Sequence, residues 1–97
     1  MKATEVKAII YWRAAEDGGR KDMVPPHMRY CPVIVFENEK ATGSAWSAEV
    51  YNTEIDGLKT LAKLSYLFDE APFENLQKGN KFKLYEGKNV VADGEVL

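Results

Sequence analysis

His27 and Cys31 stand four residues apart, the one imidazole and the one thiol of a 97-residue chain. A thiol beside an imidazole is the raw material of a nucleophile–base pair. Pro32 follows directly, and an extended backbone does not bring residues four apart together as a helix would. The pair also lacks the third, orienting group usual in such sites. A loop histidine and a small strand-end residue account for both, so no catalytic residue is expected.

Carboxylates offer a second chemistry. Glu16, Asp17, Asp22 and the Asp69-Glu70 pair could in principle hold a hard cation. The spacing from Asp17 to Asp22 does not match a calcium loop, and solvated turn carboxylates are the plainer account. No metal and no cofactor are expected. The chain contains no G-x-x-x-x-G-K-[ST] loop, so it has no means of holding a nucleotide in the P-loop manner.

A third pattern is basic and aromatic. Arg13, Arg20, Lys21 and Arg29 cluster in and around segment 13–30, flanked by Tyr11, Trp12 and Tyr30. Single-stranded nucleic acid and protein partners are both gripped by such interleaving. The alternative is that Trp12 packs inside the fold and the charges only solvate a loop. Thirteen basic residues against fifteen acidic ones give a net charge of −2, which disfavours RNA, because polyanions are held by excess Lys and Arg. A protein partner is therefore expected ahead of RNA. The expected contact residues are Tyr11, Arg13, Arg20, Lys21, His27, Arg29 and Tyr85. A protein partner would also need an exposed apolar patch around Ile9, Tyr11 or Tyr85.

The elements that position these residues follow from hydrophobic periodicity. Residues 4–13 alternate, with Val6, Ala8, Ile10 and Trp12 on one face and Glu5, Lys7, Ile9 and Tyr11 on the other. Gly18-Gly19 and Pro25-Pro26 break the chain into a loop of about fifteen residues, long enough to be a place for function. Tyr30–Asn38 is rich in β-branched and aromatic residues and predicts a strand, with Pro32 at its start or on an edge. Ser44–Asn52 predicts a third strand, with Trp46, Ala48 and Val50 on one side, and a turn follows at Glu54–Gly57. Segment 58–68 fits a helical stripe at 58, 61, 64, 67 and 68. It also fits a strand face of Ala62, Leu64, Tyr66 and Phe68, and a strand is expected from its neighbours. Residues 69–80 form a loop with room for one helical turn. Lys81–Leu97 is a closing hairpin. Phe82 and Leu84 point inward, Glu86–Asn89 turns on Gly87, and Val90, Ala92, Gly94 and Val96 share the returning inner face.

About six strands with turns every eight to twelve residues predict an all-β fold, a small closed antiparallel barrel or sandwich. The length allows one domain spanning 1–97. The apolar fraction of 45% and charged fraction of 29% are those of a soluble globular protein. The single Cys31 fits a reducing compartment. The N-terminus has no signal-peptide core, and no run approaches the roughly 20 apolar residues of a membrane helix. A cytoplasmic protein that does not engage membranes is expected.

Three signposts in this order resemble the C-terminal β-barrel domain of elongation factor Tu and related translational GTPases. They are Glu16-Asp-Gly-Gly-Arg20, then Tyr30-Cys-Pro-Val-Ile-Val-Phe36 with Thr42-Gly43 after it, and Phe82–Val96 as the closing hairpin. The resemblance spans residues 5–97. It implies a six-stranded closed barrel and a strand at 58–68. In that family the barrel helps hold the tRNA T stem and contacts the GTPase domain and the exchange factor. Arg20 matches the family's turn arginine. Cys31 and Asn89 replace arginines of the family pattern, and Ala92-Asp93 replaces Gly-Ala. Lost arginines and a gained carboxylate argue against the RNA contact. The resemblance therefore implies a stand-alone, non-enzymatic binding barrel, with a tRNA-related RNA-binding accessory as the alternative and a small enzyme behind both.

Overall fold

The computed structural model describes residues 5–20, 24–37, 45–68, 70–71 and 73–97. Seven strands run β1 (Val6–Trp12), β2 (Arg29–Tyr30), β3 (Val33–Phe36), β4 (Trp46–Asp56), β5 (Lys59–Tyr66), β6 (Lys81–Glu86) and β7 (Asn89–Val96). Six of them close an antiparallel barrel in the order β4-β3-β6-β7-β1-β5, with β5 returning to β4. The short β2 is an outer strand on β4. Its register there, Arg29 with Tyr51 and Tyr30 with Val50, is continued without a slip by β3, Val33 with Ser47 and Ile34 with Trp46. The interruption between them is Cys31-Pro32. Proline has no N–H to give the ladder, though the Pro32 carbonyl still accepts from the Ala48 amide at 2.9 Å.

The expected alternation holds in β1, where Ala8, Ile10 and Trp12 are buried and Lys7 and Tyr11 are exposed. Segment 58–68 is a strand over Lys59–Tyr66, with Ala62, Leu64 and Tyr66 in the core, but Phe68 lies beyond the strand and is exposed. The β4–β5 and β6–β7 hairpins turn on Gly57 (φ 64°) and Gly87 (φ 61°), each at the first of two central residues. That position in a two-residue turn admits glycine with no Cβ penalty.

Two expectations fail for one reason, a bulge. The turn predicted at Glu54–Gly57 begins only at Gly57. A register shift between Asn52 and Glu54 lets β4 keep pairing with β5 to Asp56. In β7, Val90 was expected inside, but the shift between Leu84 and Tyr85 inserts one residue, and Val91 is buried instead, next to buried Ala92. An inserted residue resets which side chains face the core.

The two ends of the barrel are closed differently. At the end formed by the starts of β4 and β6 and the last residues of β3 and β5, aromatic rings fill the space. Phe36 packs on Phe82 (centroids 5.4 Å) and Tyr66 (6.2 Å), and Tyr66 packs on Trp46 (6.3 Å). Gly94 makes room for this packing, since a Cβ there would lie 2.3 Å from the Phe82 ring. The single-turn 3-10 segment Phe73–Asn75 and buried Leu76 lie in the loop beside it, where Asn75 donates to the Tyr66 hydroxyl (3.4 Å). The opposite end is closed by polar side chains under residues 24–27.

Candidate functional site

That polar closure is a directed chain of hydrogen bonds. The Trp12 indole Nε1–H donates to Thr60 Oγ1 (2.9 Å), and the Thr60 hydroxyl donates to Asn52 Oδ1 (2.9 Å). The Asn52 Nδ2 then donates to the Val24 carbonyl (3.2 Å). All four residues are buried, so each bond replaces water that cannot enter. The strands supply three of the groups and the loop supplies the last. The chain therefore fastens residues 24–27 of the 13–30 segment to the barrel, helped by the His27 amide, which donates to the Asn52 carbonyl (2.8 Å).

The start of that segment is bent by Gly18-Gly19. Gly18 has φ 90°, and a Cβ on Gly19 would fall 1.9 Å from the Arg13 carbonyl oxygen. The bend returns Arg20 to the barrel wall, where it lies over the Tyr30 ring (4.9 Å) and pairs with Glu86. The Tyr30 hydroxyl donates to the same carboxylate, and its ring meets Trp12 at 5.6 Å. Burial, then the Glu86 hydrogen bond, pushes the Tyr30 phenol well above its ordinary range. Burial alone would raise the Glu86 carboxyl, but the Tyr30 and Arg20 hydrogen bonds and the Arg20 charge outweigh it and hold the carboxyl below its usual range. The Glu86 hydrogen bond in turn raises the Arg20 guanidinium.

A second network sits on β7. Asp93 accepts from Arg13 Nε (3.2 Å) and Nη2 (3.1 Å) and from Lys83 Nζ (2.7 Å). Here too burial works upward, and the hydrogen bonds from Lys83 and Arg13 hold the carboxyl low. Arg29 pairs with Glu49 on the exposed face of β2 and β4.

The residues expected to make contacts thus fall into separate groups. Arg13, Arg20 and Arg29 are each engaged by a carboxylate of the protein itself, so their chemistry is spent internally. Lys21 lies outside the described residues, as do Asp22, Thr42, Gly43 and Asp69. His27 adopts φ 62° and sets its ring edge-on to Tyr51 (5.9 Å). No hydrogen bond joins its imidazole to the exposed Cys31 thiol among the described residues. Tyr85 is half-buried on β6. Tyr11 is 51% exposed.

Tyr11 belongs to an apolar surface. Ile9 and Leu61 are cross-strand neighbours on β1 and β5, and Tyr11 faces Lys59 one row away. Leu61, Ile55 and Leu58 are all exposed. Ile9, Ile55 and Leu61 line one side of a shallow concavity of about 280 Å³, with Glu54, Asp56, Lys59 and Thr60. A second concavity, about 330 Å³, is lined by Glu5, Arg29, Glu49, Tyr51, Lys63 and Ser65, and His27 is not among them. Among the described residues no three His, Cys, Asp or Glu side chains are placed to hold a metal ion. No helix among them is long and apolar enough to cross a membrane.

Sequence reasoning missed Asn52, Thr60, Glu86 and Lys83 and misread Asp93. A strict two-residue hairpin around Gly87-Lys88 places Ala92 opposite Lys83. The bulge moves Asp93 there, so the aspartate pairs with two cations rather than standing alone as a repulsive charge. No family model matches the chain, and no curated protein is similar to it.

Proposed function

We propose that the protein is a non-enzymatic binding barrel that holds a protein partner on the outer face of β1 and β5, beside segment 13–30. The fold it uses is of the kind the resemblance to the elongation-factor barrel implies, without a GTPase domain in this chain. The observation that carries the reading is the contrast between the arginines and the apolar residues. The arginines Arg13, Arg20 and Arg29 are paired within the protein, while Tyr11, Ile9, Leu61 and Leu58 leave apolar area in water. Removing such area from water contributes about 25 cal/mol per Å², so a contiguous patch is where association gains most. RNA binding would draw on those same arginines, at the cost of breaking their ion pairs.

Capture from cell extract tests this with wild type and a Leu61→Asp, Ile9→Asp variant whose fold is verified by circular dichroism. One protein recovered in stoichiometric yield, resistant to ribonuclease and lost with the variant, is the expected result. Recovery of RNA, or of the same protein by both forms, overturns it.

A further inference from the structure

We propose that the partner of this face is an acidic extended segment, with a carboxylate and an apolar side chain at alternating positions. The inference rests on the protein-binding reading above and specifies the chemistry of what is bound.

The outer face of β5 and β1 is organised in three cross-strand rows. Lys63 stands opposite Lys7, Leu61 opposite Ile9, and Lys59 opposite Tyr11. Along β5 the order is therefore cation, apolar, cation. Rows on one face of a strand are about 7 Å apart, which places the two cationic rows about 13 Å from each other. An extended chain has the same repeat, so residues at i, i+2 and i+4 meet the three rows together.

The first row is the informative one. Like charges directly opposite on an antiparallel pair are destabilising. Elsewhere on this barrel Arg13 and Lys83 share Asp93, Arg20 pairs with Glu86, Arg29 pairs with Glu49, and Lys81 stands opposite Glu95 in register. Lys7, Lys63 and Lys59 form no ion pair among the described residues. Carboxylates stand beside two of the three rows in register: Glu54 and Glu95 beside Leu61 and Ile9, and Asp56 and Asp93 beside Lys59 and Tyr11. Among the described residues, only the Lys7–Lys63 row has no carboxylate side chain directly beside it in register, so that end of the stripe is the positive one. Lys7, Lys63 and Leu61 also line a hollow of about 110 Å³ with Thr53, Glu54, Ala62 and Leu97, a seat for an apolar side chain beside the cations. A partner carboxylate over the first row relieves a repulsion that the free protein carries. That gain is available only to an acidic segment.

The test titrates isotope-labelled protein with three synthetic peptides of about eight residues. They are identical except at the residue two before a shared leucine, which is aspartate, threonine or lysine. The acidic peptide is expected to bind tightest, to shift the amides of β1 and β5, and to weaken as salt rises. A Lys7→Glu, Lys63→Glu variant, exposed at both sites and verified as folded from its spectrum, is expected to weaken it about tenfold or more. Equal binding of the threonine peptide, lost in Leu61→Asp, overturns the acidic inference and leaves the apolar face as a partner site. Binding of the lysine peptide, shifts confined to another face, or no binding of the acidic peptide also overturns it. The extract capture above, which is blind to peptide charge, reports separately on the broader reading.

Discussion

The two ends of this barrel solve the same problem with opposite chemistry. One is filled by Phe36, Phe82, Tyr66 and Trp46, whose contacts are non-directional. The other is closed by Trp12, Thr60 and Asn52, whose bonds are directional and end on a loop carbonyl. Apolar packing tolerates a range of similar shapes, whereas a buried polar chain tolerates only arrangements that satisfy every member. The aromatic end is therefore built for stability. The polar end is built to hold residues 24–27 in one place, next to the surface where a partner is proposed to bind.

The largest effect should come from the aromatic end. Phe82→Ala is expected to cost about 3–5 kcal/mol in denaturant unfolding, as for other fully buried phenylalanines. A loss below 1 kcal/mol would mean the rings are not the core of that end. At the polar end, Asn52→Ala deprives both Thr60 and the Val24 carbonyl of a partner. A loss of about 1–3 kcal/mol is expected, together with faster amide exchange across residues 24–28. Faster exchange throughout the barrel would instead make this end an ordinary part of the core. Gly94→Ala forces a methyl group against the Phe82 ring and should cost about 1–3 kcal/mol, with its chemical-shift changes centred on β6 rather than β4.

Titration separates the ends further, because the charged networks lie near the polar one. Glu86 and Asp93 have folded-state pKa values below their unfolded ones. Their contribution is thus present above the unfolded carboxylate pKa, near 4, and is lost as pH falls through the depressed folded values. Melting temperature should be flat above about pH 5 and fall below it, and Glu86→Gln should make that fall shallower. Tyr30 carries the opposite sign. Its raised pKa means a contribution present below about pH 10 that is lost as pH rises through the folded value. Tyr30 should ionise above the ordinary tyrosine range in an ultraviolet titration, and Glu86→Gln should bring it earlier. The smallest effect is expected at Arg29→Gln. Its pair with Glu49 is exposed to solvent, and no measurable change in melting temperature should follow.

Much of the architecture was legible from the amino-acid order. Period-two alternation in 6–12 and 81–86 reflects a wall with one wet face, and it needs no knowledge of neighbours. The glycines at 57 and 87 mark the hairpins because the backbone requires them there. Residues 58–68 had to be argued from context, since the same apolar positions suit either period.

The partners of the charged residues were a different matter. Arg13 and Asp93 are 80 residues apart, Arg20 and Glu86 are 66, and Trp12 and Thr60 are 48. Which side chains meet over such separations depends on barrel closure and on two bulges, and each bulge shifts the register by one residue. From the chain alone, strands, turns, an apolar lining and a small basic and aromatic cluster could be derived, because these follow from local periodicity and backbone sterics. Only the folded barrel decided that the arginines of that cluster pair with carboxylates of the protein itself while Lys7 and Lys63 stand opposite each other with no ion pair among the described residues, because register between distant strands is set by global closure and not by local sequence.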